Sequence, residues 1–388
     1  MTMSHQAPVL PRYGAGSLSD IIPYLCSPVR APASPAWMPD VVDGAERVVL
    51  LLIDGLGWNQ LMPRRHVAPT ITSMSGGSIT SVAPSTTATA LTSLTTGLTP
   101  GEHGLIGYRM DMGGVVMNTL RWGDGPVDMR REHPPRQVQP CPPFLGLSVP
   151  VISMADKEGS GFTEAHLSGV KAMGWRAASS IPVTVQCALA DGERFVYAYY
   201  DGVDKIAHER GFGDYYDSEL SYADGLVASI IERLPAGTVL LVTADHGQVH
   251  VGDNTVTLPS TVMDHVRLQS GEGRFRWLHA RRGREQELRS ACAQFEDVAW
   301  VVTRDQVVDE KWFGSRVSTD ALRRMGDVAL VPFAPVSFED PADGGLFDLV
   351  CRHGSLTEDE MLVPFLAPRL TGVRNLRANG RLNAWLTT

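Results

Sequence analysis

Short apolar runs separated by polar loops set the pattern of this chain. Val48 to Ile53, Val149 to Met154, Phe195 to Tyr200 and Gly237 to Thr243 are too brief for buried helices and read as strands covered on both faces. Ser78 to Val82 is a further strand-like run, ending just before Pro84. Between the runs the spacing changes. Leu220, Ala223, Val227, Ile230 and Ile231 recur at helical intervals within Tyr215 to Leu234. Trp58 opens a short helix, and Thr87 to Thr96 forms another, with Gly97 as its stop. Strands alternating with helices predict an α/β fold, a mainly parallel central sheet with helices on both faces.

Two stretches depart from that rhythm. The first forty residues are rich in Pro, Ser and Ala and read as an irregular arm. From Met263 to Met325 the texture shifts. Arg274 to Ala280 alternates like a half-exposed strand, Arg284 to Phe295 reads as helix, and Ala299 to Thr303 as strand. The expected organisation is an arm (1–40), a catalytic core (41–262 and 326–388) and a small inserted α+β cap (263–325).

Metal-ligand residues stand at the ends of the apolar runs. Asp54 closes Val48 to Ile53. Asp204 and His208 follow Phe195 to Tyr200. Asp245 and His246 follow Val239 to Thr243, and His353 follows Phe347 to Cys351. Open α/β sheets place their sites at strand C-terminal ends. Asp204 and His208, four apart, share one face of a helical turn and can reach one metal. Three Asp and three His can fill two zinc sites if one further ligand completes them. Each residue alone has a plainer reading, Asp as a helix cap and His as a hydrogen-bonded structural residue. Six in this order argue against coincidence.

A hydroxyl-rich segment, Ser85-Thr86-Thr87, opens the helix between the first two clusters. A helix N-terminus favours anions, and a metal would lower the pKa of a hydroxyl there. Spacing alone does not choose among the three hydroxyls, and plain N-capping explains them equally well.

Overall charge narrows the partners. A formal net charge of −9 argues against a surface for duplex nucleic acid. It does not exclude a phosphorylated small molecule, because bound cations reverse the local field. No apolar run approaches the roughly 18 residues of a membrane helix, and the N-terminus lacks a signal-peptide pattern. Five scattered cysteines without a CxxC pair fit reduced thiols, so the expectation is a cytoplasmic protein with no membrane partner.

Asp54, the Thr87 helix with Thr96-Gly97-Leu98-Thr99-Pro100-Gly101-Glu102-His103-Gly104, Asp204-x-x-x-His208, Asp245-His246-Gly247 and His353-Gly354 appear in an order that resembles the alkaline phosphatase superfamily. Within it, the nucleotide pyrophosphatase/phosphodiesterase branch is the best match. The resemblance implies an alkaline phosphatase-like core holding two zinc ions. One ion falls to Asp204, His208 and His353, the other to Asp54, Asp245, His246 and Thr87. It makes Thr87 the nucleophile, forming a phosphothreonine that water then hydrolyses. His103 belongs to a structural turn, and His250 is a supporting or surface residue. Where that branch carries an Asn contacting the phosphoryl oxygen, this chain has Tyr108, and the adjacent Arg109 is a candidate charged donor. The expected activity is hydrolysis of phosphodiester or pyrophosphate bonds in small molecules. The alternatives are a phosphomonoesterase or phosphonate hydrolase on the same core, a phosphomutase, which the short cap disfavours, and a noncatalytic binding protein, which the intact ligand set disfavours.

Overall fold

The structure is a computed structural model and describes residues 7–27, 34–343 and 349–369. Its centre is a seven-stranded sheet. In spatial order the strands are Ser75–Thr80, Leu362–Ala367, Thr238–Thr243, Arg47–Ile53, Phe195–Tyr200, Pro150–Ile152 and Lys171–Ala172. The middle of the sheet is parallel, and Leu362–Ala367 and Ser75–Thr80 complete one side in antiparallel pairing. Arg47–Ile53 is central and buried from Val48 onward, which explains its unbroken run of Val, Leu and Ile. The fold is therefore α/β with a mostly parallel sheet, as the pattern predicts.

Register places the chemistry. Leu52 pairs with Thr243 and Ile53 with Tyr200, so three parallel strands end side by side. Asp54 leaves the first strand as its amide donates to the Tyr200 carbonyl at 2.9 Å. Asp245 leaves the second, and the third feeds directly into the helix Gly202–Arg210, which carries Asp204 and His208.

A second, four-stranded antiparallel sheet contains Val266–Glu272, Phe275–Ala280, Val328–Pro332 and Ala299–Thr303, in that order. It has an apolar cluster of its own that includes Val262, Leu278, Leu288, Phe295, Val301 and Leu330. Two expectations need correction here. Val328–Pro332 was expected in the core but pairs with two strands of the second sheet. It is a continuous buried run, so its pattern does not reveal which sheet takes it. Phe275–Ala280 was expected to be half exposed but is buried throughout. Its polar alternation survives because Arg274 and Arg276 are buried with acceptors.

The arm also differs from expectation. Leu18–Cys26 is a helix whose Leu18, Ile21 and Ile22 are fully buried. Asp20 fixes its start by accepting from the amides of Gly14, Gly16 and Ser17, each at 2.9 Å. Pro23 inside the helix and the surrounding Pro and Ser hide that periodicity. The strand proposed before His353 is only Cys351–Arg352, paired with Val249–His250 outside the central sheet. Phe347 and Asp348 of that run, together with 1–6, 28–33 and 370–388, lie outside the described residues. Among the described residues no helix is long and apolar enough to cross a membrane.

Candidate active site

At the C-terminal edge of the sheet, Asp54, Asp204, Asp245, His246 and His353 converge. One atom each from Asp54, Asp245 and His246 lies within 4.8 Å of the others, and the same holds for Asp204, His246 and His353. His246 stands between the two groups. Its Nε2 is 3.5 Å from Asp54 Oδ1 and 3.3 Å from Asp245 Oδ2. Its ring stacks on His353 with centroids 3.6 Å apart, and the His208 ring is 5.1 Å from His353. His208 Nε2 is 3.3 Å from Asp204 Oδ1, the pairing that helical i, i+4 spacing demands.

The ligand-type atoms share one orientation. Nδ1 of His208 bonds the Cys351 carbonyl at 2.6 Å, Nδ1 of His353 the Ser85 carbonyl at 3.0 Å, and Nδ1 of His246 the Gly247 carbonyl at 3.1 Å. A carbonyl only accepts, so each Nδ1 carries the proton and each Nε2 presents a lone pair. The carboxylates follow the same rule. Tyr199 donates its phenol to Asp54 Oδ2, and the amides of Gly55 and His246 donate to Asp245 Oδ1 at 3.1 Å. Asp54 Oδ1 and Asp245 Oδ2 are left buried with no partner. Gln248 Nε2 holds Asp204 Oδ1 at 2.6 Å.

Electrostatics point the same way. Burial, then the Asp245 and Asp204 charges, push the Asp54 carboxyl well above the usual carboxylate range. Burial also raises Asp204 and lowers His246 and His353. Clustered acids with orphaned oxygens and imidazoles kept neutral form a donor set that fits divalent cations, and hard O/N donors of this kind suit zinc.

Thr87 begins the helix Thr87–Thr96 at the edge of this cluster, its Oγ1 3.1 Å from His246 Nε2. Because that nitrogen is a lone pair, Thr87 donates. The helix is buried along its whole length, yet it is rich in Thr. Thr92, Thr95 and Thr96 resolve this by donating to the carbonyls of Ala88, Leu91 and Thr92. Gly97 ends the helix at φ +70°.

A cavity of about 240 Å³ opens beside Thr87, Asp54 and Asp204. Leu91, Leu120, Met154, Phe162 and Leu167 give it apolar walls, and Lys157 and Lys205 are its cations. Lys205 is already paired with Asp201 at 2.7 Å.

Neither Tyr108 nor Arg109 lines this cavity. Arg109 is buried with its guanidinium 2.5 Å from Asp340, so it is not free to swing toward Thr87. Tyr108 is half-buried, and burial, then the Asp343 charge, raise its phenol. His103 bonds Ser93 Oγ at 2.8 Å and is held neutral by burial, its pKa down at about 3. His250 is exposed on its short strand and joins neither group of ligands. Tyr199 and Gln248 were absent from the sequence reading. For Tyr199 the available signal is a tyrosine inside a strand, whose hydroxyl must find an acceptor, and Gln248 in its loop carries no such signal.

Strand-end carboxylates and histidines beside a helix-borne threonine, on this sheet, define a member of the alkaline phosphatase superfamily. The chain belongs to the type I phosphodiesterase/nucleotide pyrophosphatase family, whose sequence profile matches residues 48–355. That family and the proteins similar in fold are hydrolases acting on phosphorus-bearing compounds. Murine ectonucleotide pyrophosphatase/phosphodiesterase 5 is similar in fold, with a TM-score of 0.62 at 15% identity, covering 83% of this chain and 88% of that one. Its inactive threonine-to-alanine variant in complex with AMP matches at TM-score 0.62 and 14% identity, with the same coverage. Phosphonoacetate hydrolase from Sinorhizobium meliloti, in complex with phosphonoformate, matches at TM-score 0.58 and 16% identity, covering 84% and 90%. No curated protein sequence matches the chain.

Proposed function

We propose that this protein is a two-zinc hydrolase of phosphodiester or pyrophosphate bonds in small molecules, acting through a phosphothreonine on Thr87. One observation carries the reading. The Thr87 hydroxyl sits at a helix N-terminus, 3.1 Å from His246 Nε2 and beside the orphaned oxygens of Asp54 and Asp245.

Asp204, His208 and His353 would hold one ion, and Asp54, Asp245, His246 and the Thr87 oxygen the other. Bound zinc would supply Lewis-acid charge, lowering the pKa of a hydroxyl and neutralising phosphoryl oxygens. The chain's own residues do the rest. Thr87 Oγ1 attacks phosphorus as the bond to the leaving oxygen breaks. Helix N–H groups at Thr87 face the anion and favour it. The cavity walls hold the leaving group, and its departure frees that side for water. Water then attacks the phosphothreonine, its oxygen bonding to phosphorus as the bond to Thr87 breaks. A diester yields an alcohol and a phosphomonoester, and a dinucleotide pyrophosphate yields two phosphomonoesters.

Diesters are the proposed substrates over monoesters. Among the described residues no arginine lines the cavity, Lys205 is paired with Asp201 and Lys157 is exposed, so no buried guanidinium awaits a third phosphoryl oxygen. The AMP bound by the murine protein of similar fold, and the inactivity of its threonine-to-alanine variant, support a small phosphorylated ligand and a threonine nucleophile. The test is a panel on zinc-loaded protein comprising a bis-aryl phosphate diester, an aryl monoester, a dinucleotide pyrophosphate and a phosphonate. Fastest turnover of the phosphonate or the monoester would replace the reading with the corresponding alternative.

A further inference from the structure

The second sheet reaches the nucleophile through one hairpin tip. Val266–Glu272 turns through Gly273 and Arg274 and returns as Phe275–Ala280. At the tip, Glu272 is buried against the two turns that frame the site. Its Oε1 has no partner among the described residues. Its carboxyl faces the Thr86 hydroxyl. It also presses on Gly354, where a Cβ would stand 2.9 Å from Cγ and Cδ and 3.3 Å from Oε1. Only glycine allows that approach, and Gly354 has the matching φ of +126°. The two turns are joined to each other as well. The Ser85 amide donates to the Gly354 carbonyl at 3.1 Å, and Ser85 Oγ donates to the Ser355 carbonyl at 2.6 Å.

Thr86 is the N-cap of the nucleophile helix, yet its side chain makes no capping hydrogen bond. An N-cap threonine ordinarily turns its oxygen onto the first-turn amides. Here the hydroxyl faces Glu272 instead, and the first-turn N–H groups stay open to an anion. Glu272 itself is an unfavourable tenant. Burial is the main influence and raises its pKa to about 8, opposed by Thr86 and Arg276 and reinforced by Asp343 and Glu360. Among the described residues no ion pair within 4.0 Å compensates it, and Arg276 is paired with Asp340 and Asp343 instead. An apolar side chain would be cheaper to bury at this position.

We propose that Glu272 is a positioning residue, which draws the Thr86 hydroxyl away from its own helix and braces the His353 turn, so that the N-terminus carrying Thr87 stays open to the phosphoryl group. The inference rests on Thr87 as nucleophile.

The experiment is a mutant cycle on the zinc-loaded full chain with a bis-aryl phosphate diester. Glu272→Ala lowers kcat by about 10- to 100-fold, the cost of a misplaced reacting group, with KM within about twofold and metal content unchanged. Glu272→Gln keeps an acceptor for Thr86 and recovers most of the rate. Thr86→Val shows a loss like that of Glu272→Ala, and Thr86→Ser does not. The Glu272→Ala/Thr86→Val double variant is no slower than the worse single one, because both remove one contact. Additive losses, a wild-type kcat in Thr86→Val, or a rise in KM alone would overturn the proposal. If Glu272→Ala does not fold, the Thr86→Val and Thr86→Ser pair decides. Turnover retained in Thr87→Ala would instead defeat the nucleophile assignment.

Discussion

Two groups of buried or largely buried carboxylates in this molecule are treated oppositely. At the central sheet edge Asp54, Asp204 and Asp245 crowd together with no arginine or lysine ion-paired to them among the described residues, and Asp54 Oδ1 and Asp245 Oδ2 have no hydrogen-bond donor there. In and around the second sheet, Glu360 and Asp340 are as deeply buried but matched. Arg274 Nε and Nη2 meet the two Glu360 oxygens at 2.7 and 2.8 Å, and Arg109 meets Asp340 at 2.5 Å. One cluster is complete without any added ion, whereas the other is electrostatically unfinished. A buried acid left unpaired is costly, and a fold retains several together where a cation completes them. The comparison separates ligand sites from structural ion pairs without reference to any family.

Thr87→Ala tests the unfinished side most severely. It should reduce turnover by at least about 1,000-fold, in the range seen when a nucleophile is deleted, while circular dichroism and metal content stay near wild type. Metal removal is the companion experiment. Purified protein should bind about two divalent ions per chain, and a chelator should abolish turnover. Adding zinc at about 100 times its Kd should stabilise the fold by about 2.7 kcal/mol per site, read as a rise in Tm. Full activity in metal-free protein would remove the distinction between the two clusters.

The matched side should respond in stability. Arg274→Ala leaves Glu360 charged, buried and unpaired, which costs about 3 to 5 kcal/mol. Replacing both partners, Arg274→Met with Glu360→Leu, should recover much of that loss, as seen in denaturant midpoints. If the single and double changes cost the same, the pair is not the structural unit described.

Glu272 belongs to neither class and gives a pH signature. Its folded pKa, about 8, lies above the ordinary glutamate value of 4.5. The folded state therefore holds its proton more tightly than the unfolded chain. The contribution to stability is full below about pH 4.5 and is lost as pH climbs through about 8. Glu272→Gln should flatten that decline. Parallel stability curves for the two proteins would show that burial does not perturb this carboxyl.

The same contrast explains what the sequence disclosed. Asp54, Asp245 and the Asp204–His208 pair were legible because each follows a short apolar run, and parallel register then brings run ends together. The orientation of Arg109 was not legible, because it depends on Asp340, far along the chain. Arg274 to Ala280 alternated as a surface strand does, and only the distant Glu360 shows why its first arginine is inside. Local pattern finds strand ends. It does not find the partner that satisfies a buried charge. Tyr199 and Gln248 escaped for the same reason, since each acts on a carboxylate from another segment.

The smallest expected effect concerns Arg109. From sequence alone it was a candidate clamp for a third phosphoryl oxygen, which would favour dianionic monoesters. The structure commits its guanidinium to Asp340, with both side chains less than one-tenth exposed. Moving it to the nucleophile would break that pair and leave Asp340 charged and buried, a cost of about 3 to 5 kcal/mol. A single hydrogen bond to a charged group returns only about 1.5 to 3 kcal/mol. The movement is therefore unfavourable, and substrate preference should not depend on it. On matched aryl leaving groups, diester kcat/KM should exceed monoester kcat/KM. Arg109→Ala should change the ratio of the two by less than about twofold, although the protein melts at lower temperature. A ratio that shifts about tenfold or more, equivalent to about 1.4 kcal/mol of differential transition-state binding, would place Arg109 at the phosphoryl group after all.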